Sequence, residues 1–259
     1  MLNQNIDLGL VGKLSKKIEF ETYELDDLGE ASKGDDLSNI LIPYLFVMIL
    51  FMTIFMSGQL LLRSVMEERT NRTIEILLSS VTPDELMIGK VLGLGTLGLI
   101  QMIFYLILGI LAAYYKDIAS IDLYQLPLFL IYFITGYLFY ASIFAALGSF
   151  FTSEQEAQQS SSIISIIAVL PVAFASYFIT NPGSSLTIIS SYIPPLTPFI
   201  MIIRLGTGTF QYTEIFYTTL IMVFSCIILL KLSGKIFRTA ILFYGKKPNV
   251  KEIIKWIKT

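Results

Sequence analysis

The chain has 259 residues, of which 54% are hydrophobic and 15% charged, with a formal net charge of −2. Soluble domains carry roughly a quarter of charged residues, so the composition excludes an ordinary soluble protein and predicts a polytopic membrane protein. The sequence has no histidine and one cysteine. These counts exclude an intramolecular disulfide and any metal site or general base that depends on histidine.

Residues 1–39 are polar and acidic, with nine Asp or Glu against four Lys. Residues 18–25 alternate apolar and polar side chains, which predicts one strand. The segment is too short to hold a core of its own. Residues 1–39 are therefore either a small appendage or the end of a larger domain.

Five apolar runs follow, and each is long enough for the roughly 20 residues that a helix needs to cross a bilayer. They predict an all-α transmembrane domain over residues 40–232. None of the five runs has a charged residue in its middle, so transport driven by an ion gradient is not indicated. The predicted spans are Ile40–Leu62, Leu86–Tyr115, Leu126–Phe151, Ser161–Thr180 and Tyr212–Leu230.

A dense polar block, residues 64–85, joins the first two spans, and we call it the elbow. Its first part, residues 66–78, predicts an amphipathic helix at the membrane surface, where a soluble partner docks. Thr82 and Glu85 predict a capping box for a second helix, with Pro83 at its first position. The residues assigned to partner contact are Glu67, Glu68, Arg69, Asn71, Arg72 and Glu75. The residues assigned to the geometry of the elbow are Thr82, Pro83, Glu85, Gly89 and Lys90, and Lys90 is predicted to extend to the membrane interface.

The segment 184–206 is apolar but is interrupted by Pro194, Pro195 and Pro198. No straight helix passes through a Pro-Pro pair. We predict re-entrant or interfacial helices on the outer face, packed against the spans and closed by Arg204.

The tail, residues 233–259, is basic and predicts an interfacial helix, with Trp256 at the boundary between its apolar and basic faces. Lys and Arg are concentrated in the elbow and in the tail, which places both in the cytoplasm. The N-terminus then lies outside the cell.

Two motifs have competing interpretations. Gly93–Gly98 spells GxGxxG, but no strand precedes it, so we interpret its glycines as helix-packing residues rather than a nucleotide site. Glu67–Arg72 spells EExxxR, which is similar to a motif of intramembrane prenyl-protein proteases that also need histidines. An intramembrane protease using Glu67 and Glu68 is kept as a remote alternative to a solvated helix face with i,i+4 ion pairs.

Three stretches resemble one known family. VMEERTNRTIEILLSSVTPDELMIGKVLG, from Val65 to Gly93, resembles the signature of permease subunits of the second-type ABC exporter superfamily, in its NatB-like sodium-efflux branch. SYIPPLTPFIMIIRL (Ser191–Leu205) and FRTAILFYGKKPNVKEIIKW (Phe237–Trp256) resemble the proline-rich external element and the C-terminal tail of that family.

The resemblance implies a multi-pass, non-enzymatic permease of the cell membrane. It works as a dimer of permease halves, identical or different, with a separate ATP-binding subunit docked on the elbow. That subunit binds ATP and Mg, so no cofactor, metal or nucleic acid is expected in this chain. The exported substrate is small, with sodium, a drug or a lipid-like molecule left open.

The resemblance also implies six spans and a large extracytoplasmic domain after the first. The first span and most of that domain are not in this sequence, so the resemblance implies that residues 1–39 are a remnant of the extracytoplasmic domain and that the chain is N-terminally truncated. The alternative function is therefore a non-catalytic membrane scaffold or an inactive fragment of such a permease.

Overall fold

The structure, a computed structural model, describes residues 23–25, 31–33, 36–70, 77, 79–116, 125–151 and 153–242. The chain divides into two compact units, Met1–Leu37 and Ser38–Thr259. In the first unit, strands β1 (Tyr23–Leu25) and β2 (Ala31–Lys33) pair in antiparallel register, with Tyr23 opposite Lys33. The predicted strand is therefore present at its end, and residues 18–22 lie outside the described residues.

All regular elements described in the second unit are helices, and five helical segments are long and apolar enough to cross a membrane. The prediction of an all-α fold with five spans is confirmed. The fourth span combines two consecutive helices, α4 and α5. The helices are α1 (Asp36–Thr70), α2 (Pro83–Lys116), α3 (Leu126–Phe150), α4 (Glu154–Ala173), α5 (Ala175–Thr180), α6 (Ser185–Ser191), α7 (Thr197–Gly206) and α8 (Tyr212–Leu242).

The fourth span differs from its prediction at its start. Residues 154–160 form the first turns of α4, although their polarity predicts a turn. Glu154 and Glu156 lie in the first turn, where carboxylates stabilise the positive end of a helix. Pro171 lies inside α4, and the helix stops at Phe174 before α5 continues the span.

α3 is the most buried of the five spans. α8 packs along it, and α2, α4 and α7 contact it as well. Tyr132 and Thr218 hydrogen-bond through their hydroxyl groups at 2.7 Å, which joins α3 to α8. The rings of Phe133 and Phe144 are fully buried. Because lipid tails are as apolar as these rings, close packing rather than removal from water holds the helices together.

The proline-rich segment forms two short helices, α6 and α7, on either side of Pro194 and Pro195. The predicted break at the proline pair is present. All residues from Thr197 to Leu205 are buried, so α7 is surrounded by other parts of the bundle. That shelter is what irregular backbone at membrane depth requires.

α7 runs from the middle of α3 to one end of the bundle. At its start, the Tyr140 hydroxyl donates to the carbonyl oxygen of Pro195 at 2.7 Å. At its end, a Cβ added to Gly206 would lie 3.2 Å from Pro43, near the beginning of α1. That this course re-enters a membrane from outside stays a prediction.

Candidate functional site

The elbow begins inside α1 rather than after it. α1 continues to Thr70, so Met66, Glu67 and Glu68 belong to the same helix as the first span, and Arg69 lies in its last turn. The prediction of a separate helix that starts at Met66 is wrong, because this stretch has no proline or glycine and is rich in Arg, Glu and Met, which sustain a helix. Outside the described residues lie Asn71, Arg72, Glu75 and Leu78.

The last turns of α1 have an inner and an outer face. Val65 and Met66 are buried, whereas Glu67 is exposed and Glu68 is half-buried. Among the predicted contact residues with described side chains, Glu67 is therefore the one directed to the surface. The carboxylate of Glu68 is turned toward α2 instead.

Lys90 joins the start of α2 to the end of α1. Its Nζ donates to the carbonyl oxygen of Ser64 at 3.1 Å and to the Ser64 hydroxyl at 3.0 Å, and it lies 2.5 Å from Oε2 of Glu68. Two of the three donors of the ammonium group thus go to Ser64, and the carboxylate of Glu68 supplies the counter-charge. Lys90 therefore points into the bundle, not to the membrane interface as its sequence position predicts. We call Ser64, Glu68 and Lys90 the elbow cluster.

The turn into α2 carries the predicted capping box. The Thr82 backbone N–H and hydroxyl both donate to Oε2 of Glu85 at 2.8 Å, and the Glu85 N–H donates to the Thr82 hydroxyl at 3.3 Å. Pro83 is the first helical residue. An open surface depression lies beside this turn. Its lining residues are Ser80, Val81, Thr82, Pro83 and Glu85.

α1 also contacts α3 closely near the elbow. A Cβ added to Gly148 of α3 would lie 2.7 Å from the carbonyl oxygen of Leu62 and 3.1 Å from Cβ of Val65. Only a glycine lets the two backbones approach to that distance. The end of α1 is therefore fixed against α3 on one side and against α2 on another.

Two polar contacts join α1 to α4 on the same side of the bundle. Nε2 of Gln59 donates to the Ser161 hydroxyl at 3.1 Å. Nε of Arg63 lies 3.4 Å from Oε1 of Glu154, and both side chains are more than half exposed. Three helices thus contact the segment of α1 that leads into the elbow.

The GxGxxG motif lies inside α2, where it forms a helix rather than a loop. An added Cβ would lie 2.6 Å from the Tyr137 ring at Gly95 and 3.2 Å from the Ser57 hydroxyl at Gly98, but nothing lies within 4 Å of Gly93. Two of its three glycines therefore serve helix packing, as the sequence interpretation holds. Gly89 also meets open space.

At the opposite end of the bundle, Arg204 of α7 pairs with Glu214 of α8. Nη2 of Arg204 donates to Oε2 of Glu214 at 2.6 Å, and the two side chains are 3% and 13% exposed. The same carboxylate oxygen accepts from the Gln211 backbone N–H at 3.0 Å, which caps α8. Arg204 therefore ends the proline-rich segment, as predicted, but it does so through a buried ion pair.

Glu214 is a structural residue that the sequence analysis missed. The signal was available in part, because Gln211 and Glu214 have the spacing of residues that close a helix N-terminus. Their contact with Arg204 depends on how α7 and α8 pack, which the spacing does not report. Among the described residues, no group of three or more Asp, Glu or Cys is placed to hold a metal ion.

The family is decided by a comparison with known proteins. Residues 2–235 match a family model described as ABC-2 family transporter protein. The chain belongs to the ABC-2 family of transporter proteins. Together with the five apolar helices, membership of the ABC-2 family identifies a multi-pass membrane protein of the ABC permease type.

Two curated proteins that are similar in sequence to this ABC-2 chain are both described as uncharacterized. Protein MJ1024 of Methanocaldococcus jannaschii is 32% identical over 259 residues, which cover 99% of this chain and 63% of the relative. Protein YhaP of Bacillus subtilis is 24% identical over 223 residues, which cover 81% of this chain and 53% of the relative. The chain thus spans between half and two thirds of the length of these curated relatives. No solved structure matches it significantly.

Proposed function

We propose that this chain is the membrane-spanning permease part of an ATP-driven exporter, in the NatB-like branch of its family. A separate ATP-binding subunit hydrolyses ATP with bound Mg, and a second permease half completes the transport path. The elbow faces the cytoplasm and receives the ATP-binding subunit. The N-terminus lies outside the cell membrane, and the C-terminus lies in the cytoplasm.

The observation that carries the proposal is the continuity of α1 from the first span into the elbow. A helix transmits a push along its length because its backbone hydrogen bonds keep it rigid. Glu67 is exposed near the end of this helix, and the buried Val65 is packed against α3. A partner that binds at Glu67 therefore acts directly on the transmembrane helices, as a rigid-body switch requires.

Family membership supports a transporter rather than an enzyme. The protease alternative needs a carboxylate free to act on a substrate. Glu68 is engaged by Lys90, and Glu67 lies on the exposed side of α1. The described residues thus give no support to a catalytic pair at these positions.

The proposal is tested by reversing the charge of the exposed contact residue. Glu67→Lys should weaken association with the ATP-binding subunit and lower ATP-dependent transport, since rim charges set encounter rate and register at an interface. Co-purification of the two subunits and transport in vesicles measure both effects. Glu154→Lys is the matched control, because Glu154 is an exposed carboxylate on the same side of the bundle but on α4.

Two results would count against the proposal. If the Glu67→Lys variant transports as well as the natural protein, the elbow does not couple ATP hydrolysis to transport through Glu67. Purification of the natural protein without any ATP-binding subunit, under conditions that retain other membrane partners, would favour the scaffold alternative.

A further inference from the structure

We propose that Lys90 is a positioning residue that makes α1 and α2 move as one unit when the elbow is displaced. This inference rests on the proposed function, because it concerns how motion at the elbow reaches the second span. It adds a role for a residue that has no place in the docking surface itself. The inference rests on the contacts within the elbow cluster (Ser64, Glu68 and Lys90).

The side chain of Lys90 is anchored on α1. Its two hydrogen bonds to Ser64 and its ion pair with Glu68 lead to one helix only. The Lys90 side chain is 12% exposed. Charge-assisted hydrogen bonds in a partly dry site are stronger than neutral ones, so the two helices are held at a defined separation.

The start of α2 packs on the core through Leu86 and Met87, but its polar attachment to another helix is made by Lys90. In its first two turns, residues 83–90, Met87 is buried, whereas Ile88 is exposed and Gly89 meets open space. Lys90 is the residue there whose described side chain hydrogen-bonds another helix. Further along, the Tyr137 hydroxyl donates to the carbonyl oxygen of Val91 at 2.9 Å, which attaches α2 to α3 instead.

The elbow cluster lies directly beside the proposed docking surface. Glu68, which holds Lys90, is adjacent in sequence to the exposed Glu67. A force applied at Glu67 therefore reaches Lys90 through one residue of a continuous helix. Without the cluster, a displacement of the last turns of α1 would not be passed on to the start of α2.

The experiment uses the full chain with its ATP-binding subunit in lipid vesicles, and the variant is Lys90→Met. ATP hydrolysis should stay close to that of the natural protein. With radioactive sodium ion as the transported probe, the amount transported per ATP hydrolysed should fall about tenfold, the factor that corresponds to about 1.4 kcal/mol. Arg63→Met is the matched control, because it removes an exposed basic residue of α1 that pairs with α4. That control should leave the transport ratio unchanged.

A second variant keeps the test informative if Lys90→Met folds poorly. The second variant is Lys90→Arg, which keeps the positive charge and supplies donors for Ser64 and Glu68. Recovery of the transport ratio above that of Lys90→Met would support the positioning role. A ratio no higher than that of Lys90→Met, in protein of equal amount and equal thermal stability, would overturn it. A transport ratio in Lys90→Met equal to that of the natural protein would also overturn it.

The failure of this inference is distinguishable from the failure of the proposed function. If the natural assembly shows no ATP-dependent transport, the proposed function fails. The contact between Glu68 and Lys90 is then measured in the purified chain alone by a double-mutant cycle on thermal unfolding. Coupled effects of the two substitutions would support a joint between α1 and α2, and strictly additive effects would overturn it.

Discussion

The two ends of the helical bundle each hold an ion pair between neighbouring helices, and the pairs differ in their exposure. At the elbow, Lys90 and Glu68 are 12% and 25% exposed, whereas at the opposite end Arg204 and Glu214 are 3% and 13% exposed. Lys90 makes two hydrogen bonds to Ser64 besides its ion pair, whereas Nε and Nη1 of Arg204 have no hydrogen-bond partner among the described residues. Separating buried charges is costly, and separating partly hydrated ones is less so. We interpret the Arg204 end as a fixed joint and the elbow as the end that rearranges.

The largest loss of stability is expected at the fixed joint, the Arg204–Glu214 pair. Glu214→Ala leaves the Arg204 guanidinium buried without a counter-charge, and breaking such a pair destabilises a protein by about 3–5 kcal/mol. Thermal unfolding in detergent measures the loss. The double variant Arg204→Met with Glu214→Ala should recover part of it, because no buried charge remains. A double variant less stable than Glu214→Ala would contradict the assignment.

The next largest loss of stability is expected where α1 and α3 approach closely beside the elbow. Gly148→Val places a branched side chain where even a Cβ would lie 2.7 Å from the Leu62 carbonyl oxygen. Overpacking of this kind destabilises by about 1–3 kcal/mol. Gly89→Val is the control in the same region, since nothing lies within 4 Å of its Cβ position. Equal unfolding temperatures for the two variants would show that the helices separate easily here.

A smaller effect is expected midway between the two ends. Tyr140→Phe removes the hydroxyl that donates to the Pro195 carbonyl oxygen, and a single hydrogen bond contributes about 1 kcal/mol. The unfolding midpoint in denaturant reports it. Tyr217→Phe is the control, because the Tyr217 ring is exposed. A larger loss than this would mean that the proline pair depends on Tyr140 for its position.

The smallest effect belongs to the exposed pair at the elbow. Arg63→Met removes an ion pair whose side chains are 53% and 63% exposed, and such pairs contribute between 0 and about 1 kcal/mol. The unfolding temperature should therefore stay within the error of the measurement. A marked loss would indicate that Arg63 has a further role beside the elbow cluster.

The spans and the capping box could be predicted from the sequence because both depend on local composition. A long apolar run needs a helix wherever it lies in a bilayer, and Thr82 and Glu85 are close enough to find each other within one turn. The boundaries were less predictable. The charged residues from Met66 onward predict a separate surface helix and the polar residues at 154–160 predict a turn, yet residues 66–70 and 154–160 lack helix breakers and continue the long helices.

The elbow cluster and the Arg204–Glu214 pair could not be predicted because each depends on the register between helices. Lys90 and Ser64 are 26 residues apart and are separated by the turn of the elbow. Hydropathy alone places Lys90 at a helix end, where a long side chain ordinarily reaches water. Its inward direction is set by the neighbouring helix, which offers it three acceptors. The roles of Arg69, Arg72 and Glu75 in docking stay predictions.

The burial of α7 has a consequence for the order in which the protein is made. α7 is shielded on all sides by other helices, and its one charged residue, Arg204, finds its counter-charge in Glu214 of the helix that follows. A growing chain that has not yet synthesised residue 214 has nothing to neutralise that arginine within the lipid. The proline-rich segment can therefore adopt its buried position only after the last span has emerged from the ribosome. Nascent chains stalled before residue 214 are expected to be substrates for membrane proteases.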